Sequence, residues 1–212
     1  MFAVTIDQRG SRRDGDRVPD LLRALEERWP GIIADSTVAR PSGCVRGFER
    51  TVGDEVQAVL EDAGLVVEVV SWVLRHGGWS VGIGAGRVDE PLPPNARAAS
   101  GPAFVLAREA VEAAKSRQRV VPLAVRGAHH QAGLDAESVL TLVAATAARR
   151  SAAGWEAIDA LEAAGPDVRQ EDVAAAMGVS QQAVSQRLRT ALYDESRTAA
   201  RAAAHLLVSA QG

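Results

Sequence analysis

Two acids and one polar loop carry the residue types that metal and phosphate chemistry needs. Asp7 closes the apolar run Phe2 to Asp7, and Asp54 follows Gly53 in a pair of turn residues between two apolar runs. If the strands bearing them are neighbours, their carboxylates converge. A carboxylate pair suits Mg²⁺, which takes one or two carboxylates together with phosphate oxygens and water. Gly10, Ser11 and Arg12, in the loop Gln8 to Asp14, could offer backbone N–H groups and a guanidinium to those phosphates. The plainer alternative stays open: Asp7 is a strand-end acid and Asp54 a turn residue.

A second set of residues has the types and spacing for reading DNA. Gln170 to Leu192 reads as two helices around a tight turn, with Ala174 at the close approach, Gly178 at the turn and Ser180 as N-cap. Val184, Leu188, Ala191 and Leu192 form the inward stripe of the second helix. Gln181, Gln182, Ser185, Gln186 and Arg189 then point outward near its start, where a recognition helix meets base edges. Amides pair with adenine and guanidinium with guanine, while Arg187, Arg169 and the Ser180 hydroxyl suit phosphates. An ordinary helical hairpin with a solvated face is the competing reading.

Composition narrows the class. The chain has 212 residues and a formal net charge of −3, which argues against nonspecific coating of nucleic acid. From Asp135 onward positive charge gathers at the end, where Ser180 to Gly212 holds Arg187, Arg189, Arg197 and Arg201 against Asp194 and Glu195. The single Cys44 excludes an internal disulfide and fits a reducing, cytoplasmic setting. No apolar run approaches a membrane span, and His129-His130 lack ligand-spaced partners.

The elements that must position these residues follow from periodicity. Strands are expected at Phe2 to Asp7, Phe48 to Val52, Glu55 to Leu60, Trp79 to Ala85 and Val120 to Val125, with a further one in Ile32 to Val38. Helices are expected at Arg17 to Trp29, Leu65 to His76 and Pro102 to Lys115. This βαββαβ order predicts an α+β, ferredoxin-like N-terminal domain over 1–126, with its helices on one face of an antiparallel sheet. Residues 127–134 have turn composition and read as a linker. An all-α helix-turn-helix domain over 135–212 follows, closed by the helix Glu195 to Ser209. Its Ala199, Ala203, Leu206 and Leu207 stripe serves either dimerisation or packing on its own domain. Gly82, Gly84 and Gly86 do not lead into a helix and so fail as a dinucleotide fingerprint.

Four segments in order, Asp7–Arg12, Arg50–Gln57, Val81–Gly86 and Gly101–Glu109, resemble SatD-like proteins and a shortened class III nucleotide cyclase domain. The resemblance covers nearly the whole chain and implies a C-terminal helix-turn-helix as well. It implies that Asp7 and Asp54 hold metal ions and that Arg50, just before the hairpin, joins Gly10, Ser11 and Arg12 in binding a nucleotide. The Asn and Arg with which cyclases stabilise their transition state fall here on Val105 and Glu109, which cannot donate to developing negative charge. The expectation is therefore a DNA-binding transcriptional regulator, working as a homodimer on double-stranded DNA. Its cyclase-like domain would sense a nucleotide, with or without Mg²⁺. The alternative is an Mg²⁺-dependent nucleotide cyclase or related phosphoryl-transfer enzyme.

Overall fold

The computed structural model describes residues 1–165 and 167–212, the Arg12 side chain excepted. Strands β1 (Phe2–Gln8), β2 (Cys44–Arg50), β3 (Glu55–Leu60), β4 (Trp79–Ala85) and β5 (Leu123–Gly127) form one sheet in the order β2-β3-β1-β4-β5. Strand β1 is antiparallel to both β3 and β4, β2 is antiparallel to β3, and β5 runs parallel to β4. The sheet is therefore mixed and the fold α+β. Of Ile32 to Val38, expected as a strand, only Ile33 makes an isolated bridge, to Phe48.

Side chains alternate across the sheet, and the two faces differ in size. Phe2, Val4 and Ile6 of β1 share one face with Val81 and Ile83 of β4. That face packs on helices α2 (Val18–Arg28) and α3 (Ala63–His76), and on α5 (His130–Ala147) and α9 (Tyr193–Ala210). The other face presents Ala3, Gly82, Gly84 and Ala124, and helix α4 (Pro102–Ala114) lies on it. Helices thus cover both faces, not one as expected, because small residues on alternate positions make room for a second layer. A Cβ on Gly84 would stand 2.0 Å from the Ala103 carbonyl oxygen, and one on Gly82 would stand 2.3 Å from the Val111 nitrogen.

Residues 127–134, read as a linker, hold the last residue of β5 and the first turns of α5. Their glycines serve close approach instead of a turn: a Cβ on Gly133 would meet the Gly127 nitrogen at 2.8 Å, and one on Gly127 the Ala210 carbonyl oxygen at 2.7 Å. Accordingly Ala136 and Leu140 of α5, and Ala203, Leu207 and Ala210 of α9, bury in the same core as the sheet. The expected unit 135–212 is divided by this packing. Helices α6 (Ala152–Ala164), α7 (Gln170–Met177) and α8 (Gln181–Thr190) instead build a second, smaller core around Ile158, Val173, Ala174, Val184 and Leu188.

Polar contacts join the two cores. The Arg75 guanidinium, at the end of α3, donates to both carboxylate oxygens of Asp159 in α6 at 2.6 Å each. It also lies 3.7 Å from the ring centroid of Trp155, over which Arg150 sits at 4.8 Å. Arg150 in turn donates to the Ala191 carbonyl at 2.8 Å.

The contact between α4 and β4 is directly testable. Gly84→Ala should cost about 3 kcal/mol, at the upper end of overpacking. Gly86→Ala, whose Cβ would find its nearest atom at 3.4 Å, should cost under about 1 kcal/mol. Denaturant unfolding of the two variants measures the difference, and equal losses would mean that α4 can shift off the strand.

Candidate functional site

One end of the sheet gathers the acids and the phosphate-type loop. Asp7 lies near the end of β1 and is paired across the strands with Glu55 on one side and Ser80 on the other. Asp54 sits in the β2–β3 hairpin, and its carbonyl accepts the Gln8 N–H at 3.2 Å. The two acids are near enough for the Asp54 charge to disfavour ionisation of Asp7. Ser11, Asp16, Arg50, Gly53 and Asp54 line an open cleft of about 370 Å³ at this end. The structure therefore brings together Ser11, Arg50 and Asp54 from the expected ligand set. A larger open cleft of about 820 Å³, around Arg87 and both chain termini, contains none of them.

Local structure explains how the loop is held. Gly10 takes a left-handed backbone, φ 77°, and its carbonyl accepts the N–H groups of Arg13 and Asp14, closing the short helix α1 (Ser11–Asp14). Gln8, almost fully buried, donates its amide to the Gly15 carbonyl at 2.6 Å and accepts the Arg17 N–H at 2.8 Å. One side chain thus pins both ends of the loop. Arg50 is paired with Asp16, and its guanidinium holds that carboxyl below the usual range. The Arg12 side chain, expected to meet phosphate, lies outside the described residues.

Asp7 already has a cationic neighbour. The Lys115 Nζ stands 3.0 Å from Asp7 Oδ2 and 2.7 Å from Glu112 Oε1. Burial pushes the Asp7 carboxyl above its ordinary value despite the pull of Lys115, and the charges of Asp54 and Glu112 push the same way. The Lys115 ammonium opposes its own burial through hydrogen bonds to Glu112 and Asp7, and ends above its ordinary value. Among the described residues no three His, Cys, Asp or Glu side chains converge as a metal-holding group. The expected carboxylate pair thus does not fit a divalent cation as it stands, because one of its members is engaged by an ammonium. Lys115, Gln8 and Asp16 escape motif reading. One signal was available for the first: Lys115 is the chain's only lysine in an Arg-rich sequence.

The second site lies on α8. Gly178 is left-handed (φ 66°); its N–H reaches the Ala175 carbonyl and the Val179 N–H reaches Ala174 at 3.0 Å, the paired bonds of a Schellman helix end. Ser180 then caps α8, accepting the Ala183 N–H at 3.2 Å. Val184 and Leu188 face inward, while Gln181, Gln182, Gln186 and Arg189 are exposed and Ser185 is half-buried. Gln181 lies against Gln170, and Gln186 against Thr190. Two basic residues differ from expectation. Arg187 turns to α6 and pairs with Glu156 at 2.9 Å, because its position falls on the flank between the buried and outer faces. Arg169 remains exposed beside Glu171 and Asp172, which dilute its charge. Leu192, expected in the inward stripe, is 46% exposed and left-handed (φ 51°) where α8 breaks into α9.

No family model, curated protein or solved structure matches the chain.

The Asp7 shift sets a pH test. With its pKa raised in the fold, Asp7 contributes stability that is present below the ordinary carboxylate value and is lost as pH rises through the folded value. Asp7→Asn, which does not titrate, should match the wild type in acid and become the more stable of the two toward neutral pH. Denaturant midpoints at several pH values measure this, and an advantage for the wild type at neutral pH would mean that the ion pair with Lys115 outweighs burial.

Proposed function

We propose that the chain is a DNA-binding transcriptional regulator of the SatD-like kind, acting in the cytoplasm as a homodimer. In this reading α7 and α8 are a helix-turn-helix, and the first 126 residues are a ferredoxin-like, cyclase-like domain that senses a nucleotide. The carrying observation is α8 itself: capped by Ser180, anchored by Val184 and Leu188, and exposing Gln181, Gln182, Gln186 and Arg189 on one outer face. Exposed amides and a guanidinium near the start of such a helix are the groups that read base edges in a major groove. The order β2-β3-β1-β4 within the sheet supports the ferredoxin-like reading of the N-terminal half.

The cleft of Ser11, Arg50 and Asp54 supports the sensing role. A guanidinium and a loop anchored by Gln8 are suited to an anionic ligand. On α4, Val105 and Glu109 are both exposed and offer no donor to a transition state, which weighs toward sensing over cyclisation. The polar joint at Arg75, Asp159 and Trp155 offers a route for coupling. A ligand that shifts α3 would turn the α6–α8 unit and change the spacing of two recognition helices on successive turns of DNA.

The test is selection of bound fragments from genomic DNA by the purified protein, and no preference over random DNA would end the reading. On a selected site, Gln182→Ala and Arg189→Ala should each cost roughly 1–3 kcal/mol of binding and relax sequence preference. Arg187→Ala should have a smaller effect, because that side chain is turned to Glu156. A titration against mutated sites measures all three, and a larger loss at Arg187 would mean that another face of α8 reads the DNA.

A further inference from the structure

Phosphate contacts supply most of the sequence-independent affinity of a DNA-binding protein, and they need cations that can turn outward. On the α6–α8 unit such cations are few and engaged. Ser151 to Leu192 holds six Asp and Glu against Arg169, Arg187 and Arg189. Arg187, on the flank of α8, donates from Nη1 to Glu156 Oε2 of α6 at 2.9 Å. Arg169, just before α7, stands 3.6 Å from Glu171 and 3.5 Å from Asp172. Arg189, by contrast, lies exposed on the outer face. The two arginines at phosphate-type positions are thus matched to carboxylates of their own unit, and the one at a base-type position lies open.

We infer that Glu156 is a built-in stand-in for a DNA phosphate: it occupies Arg187 and withholds that contact from every DNA sequence alike. The inference rests on reading α7 and α8 as a helix-turn-helix. A carboxylate offers its oxygens to a guanidinium much as a phosphate does, so the two compete for one group. Arg187 follows Gln186 by 100° around the helix, and its long stem can swing from Glu156 to a DNA strand passing on that side. Glu156 itself is held where it is by its neighbours. Trp155, one residue before it, packs against Arg75 and Arg150, and Asp159, nearly one turn on, takes both arms of the Arg75 guanidinium. The Glu156 carboxylate therefore stays at the α8 flank, where its side chain is 63% exposed and repels an approaching phosphate backbone. Binding then leans on the base contacts of Gln182 and Arg189, in keeping with a chain of net charge −3.

The experiment is binding of a fluorescein-labelled DNA duplex of mixed sequence, followed by anisotropy across a salt series. It compares the wild type, Glu156→Gln, Arg187→Met and the double variant. The pair lies at the surface, where an ion pair contributes little to folding. Glu156→Gln should bind about fivefold more tightly than the wild type near about 0.1 M salt, and its log–log salt slope should steepen by about 0.9, the value of one phosphate contact. Arg187→Met alone should change binding little, and the double variant should lose the gain. Glu156→Ala, which removes the carboxylate by another route, should reproduce it. A site recovered by genomic selection should gain by the same factor as the mixed duplex. Detectable binding by the Glu156 variants alone would be the same result at its limit. Unchanged binding by Glu156→Gln, or a gain that persists without Arg187, would overturn the masking and leave the helix-turn-helix reading in place. Binding by neither the wild type nor any variant would overturn both.

Discussion

Helix α4 crosses strand β4 at Gly82 and Gly84, which carry no side chain. Gly82 and Gly84 let the α4 backbone rest on the sheet so closely that any Cβ there would overlap the Ala103 carbonyl or the Val111 nitrogen. Because α4 takes this face, the larger alternate residues Phe2, Val4, Ile6, Val81 and Ile83 must find cover on the other, from α2, α3, α5 and α9. The same contact fixes where α4 ends. Its last turn arrives above Asp7 and carries Lys115 to that carboxylate, and its outer face carries Val105 and Glu109 into solvent.

Electrostatics at the two joints of the molecule are of different kinds. At the sheet end, Asp7 is kept ionisable in a half-buried setting against its own desolvation, with one ammonium to balance it. At the joint between the cores, Arg75 spends its fork on Asp159 while stacking on Trp155, and Arg150 takes the same ring. Among the described residues the two apolar clusters are separate there, and α9, with Tyr193 in the smaller and Ala203, Leu207 and Ala210 in the larger, joins these charged contacts in holding the α6–α8 unit to the sheet.

The α8 face differs from both in lying open to solvent. Its amides contact only near neighbours on the same pair of helices, at 3.3 to 3.4 Å. Arg189 is exposed, whereas Arg187 is drawn into the protein by Glu156. The difference between two arginines two positions apart follows from helix geometry: at 100° per residue they point to widely separated directions.

The local pieces were legible because local physics decides them. Gly178 and Ser180 announce a helix end and a new start, and both behave as their chemistry requires. The runs ending at Asp7 and beginning at Glu55 and Trp79 alternate or stay apolar as strands do, and β1, β3 and β4 formed with boundaries close to those expected, whereas β2 begins four residues earlier and β5 three residues later than expected. Spacing also placed Asp7 and Asp54 on neighbouring elements. What tertiary structure alone decided is which partner each group meets. The glycines of 127–133 read as turn signals, yet they serve close packing, a distinction that depends on what lies above the backbone. Helices α5 and α9 joined the sheet because their apolar faces found its uncovered side, 40 or more residues away from some of the strands they touch. Lys115 met Asp7 across more than 100 residues of chain, and no pattern of local spacing encodes such a meeting.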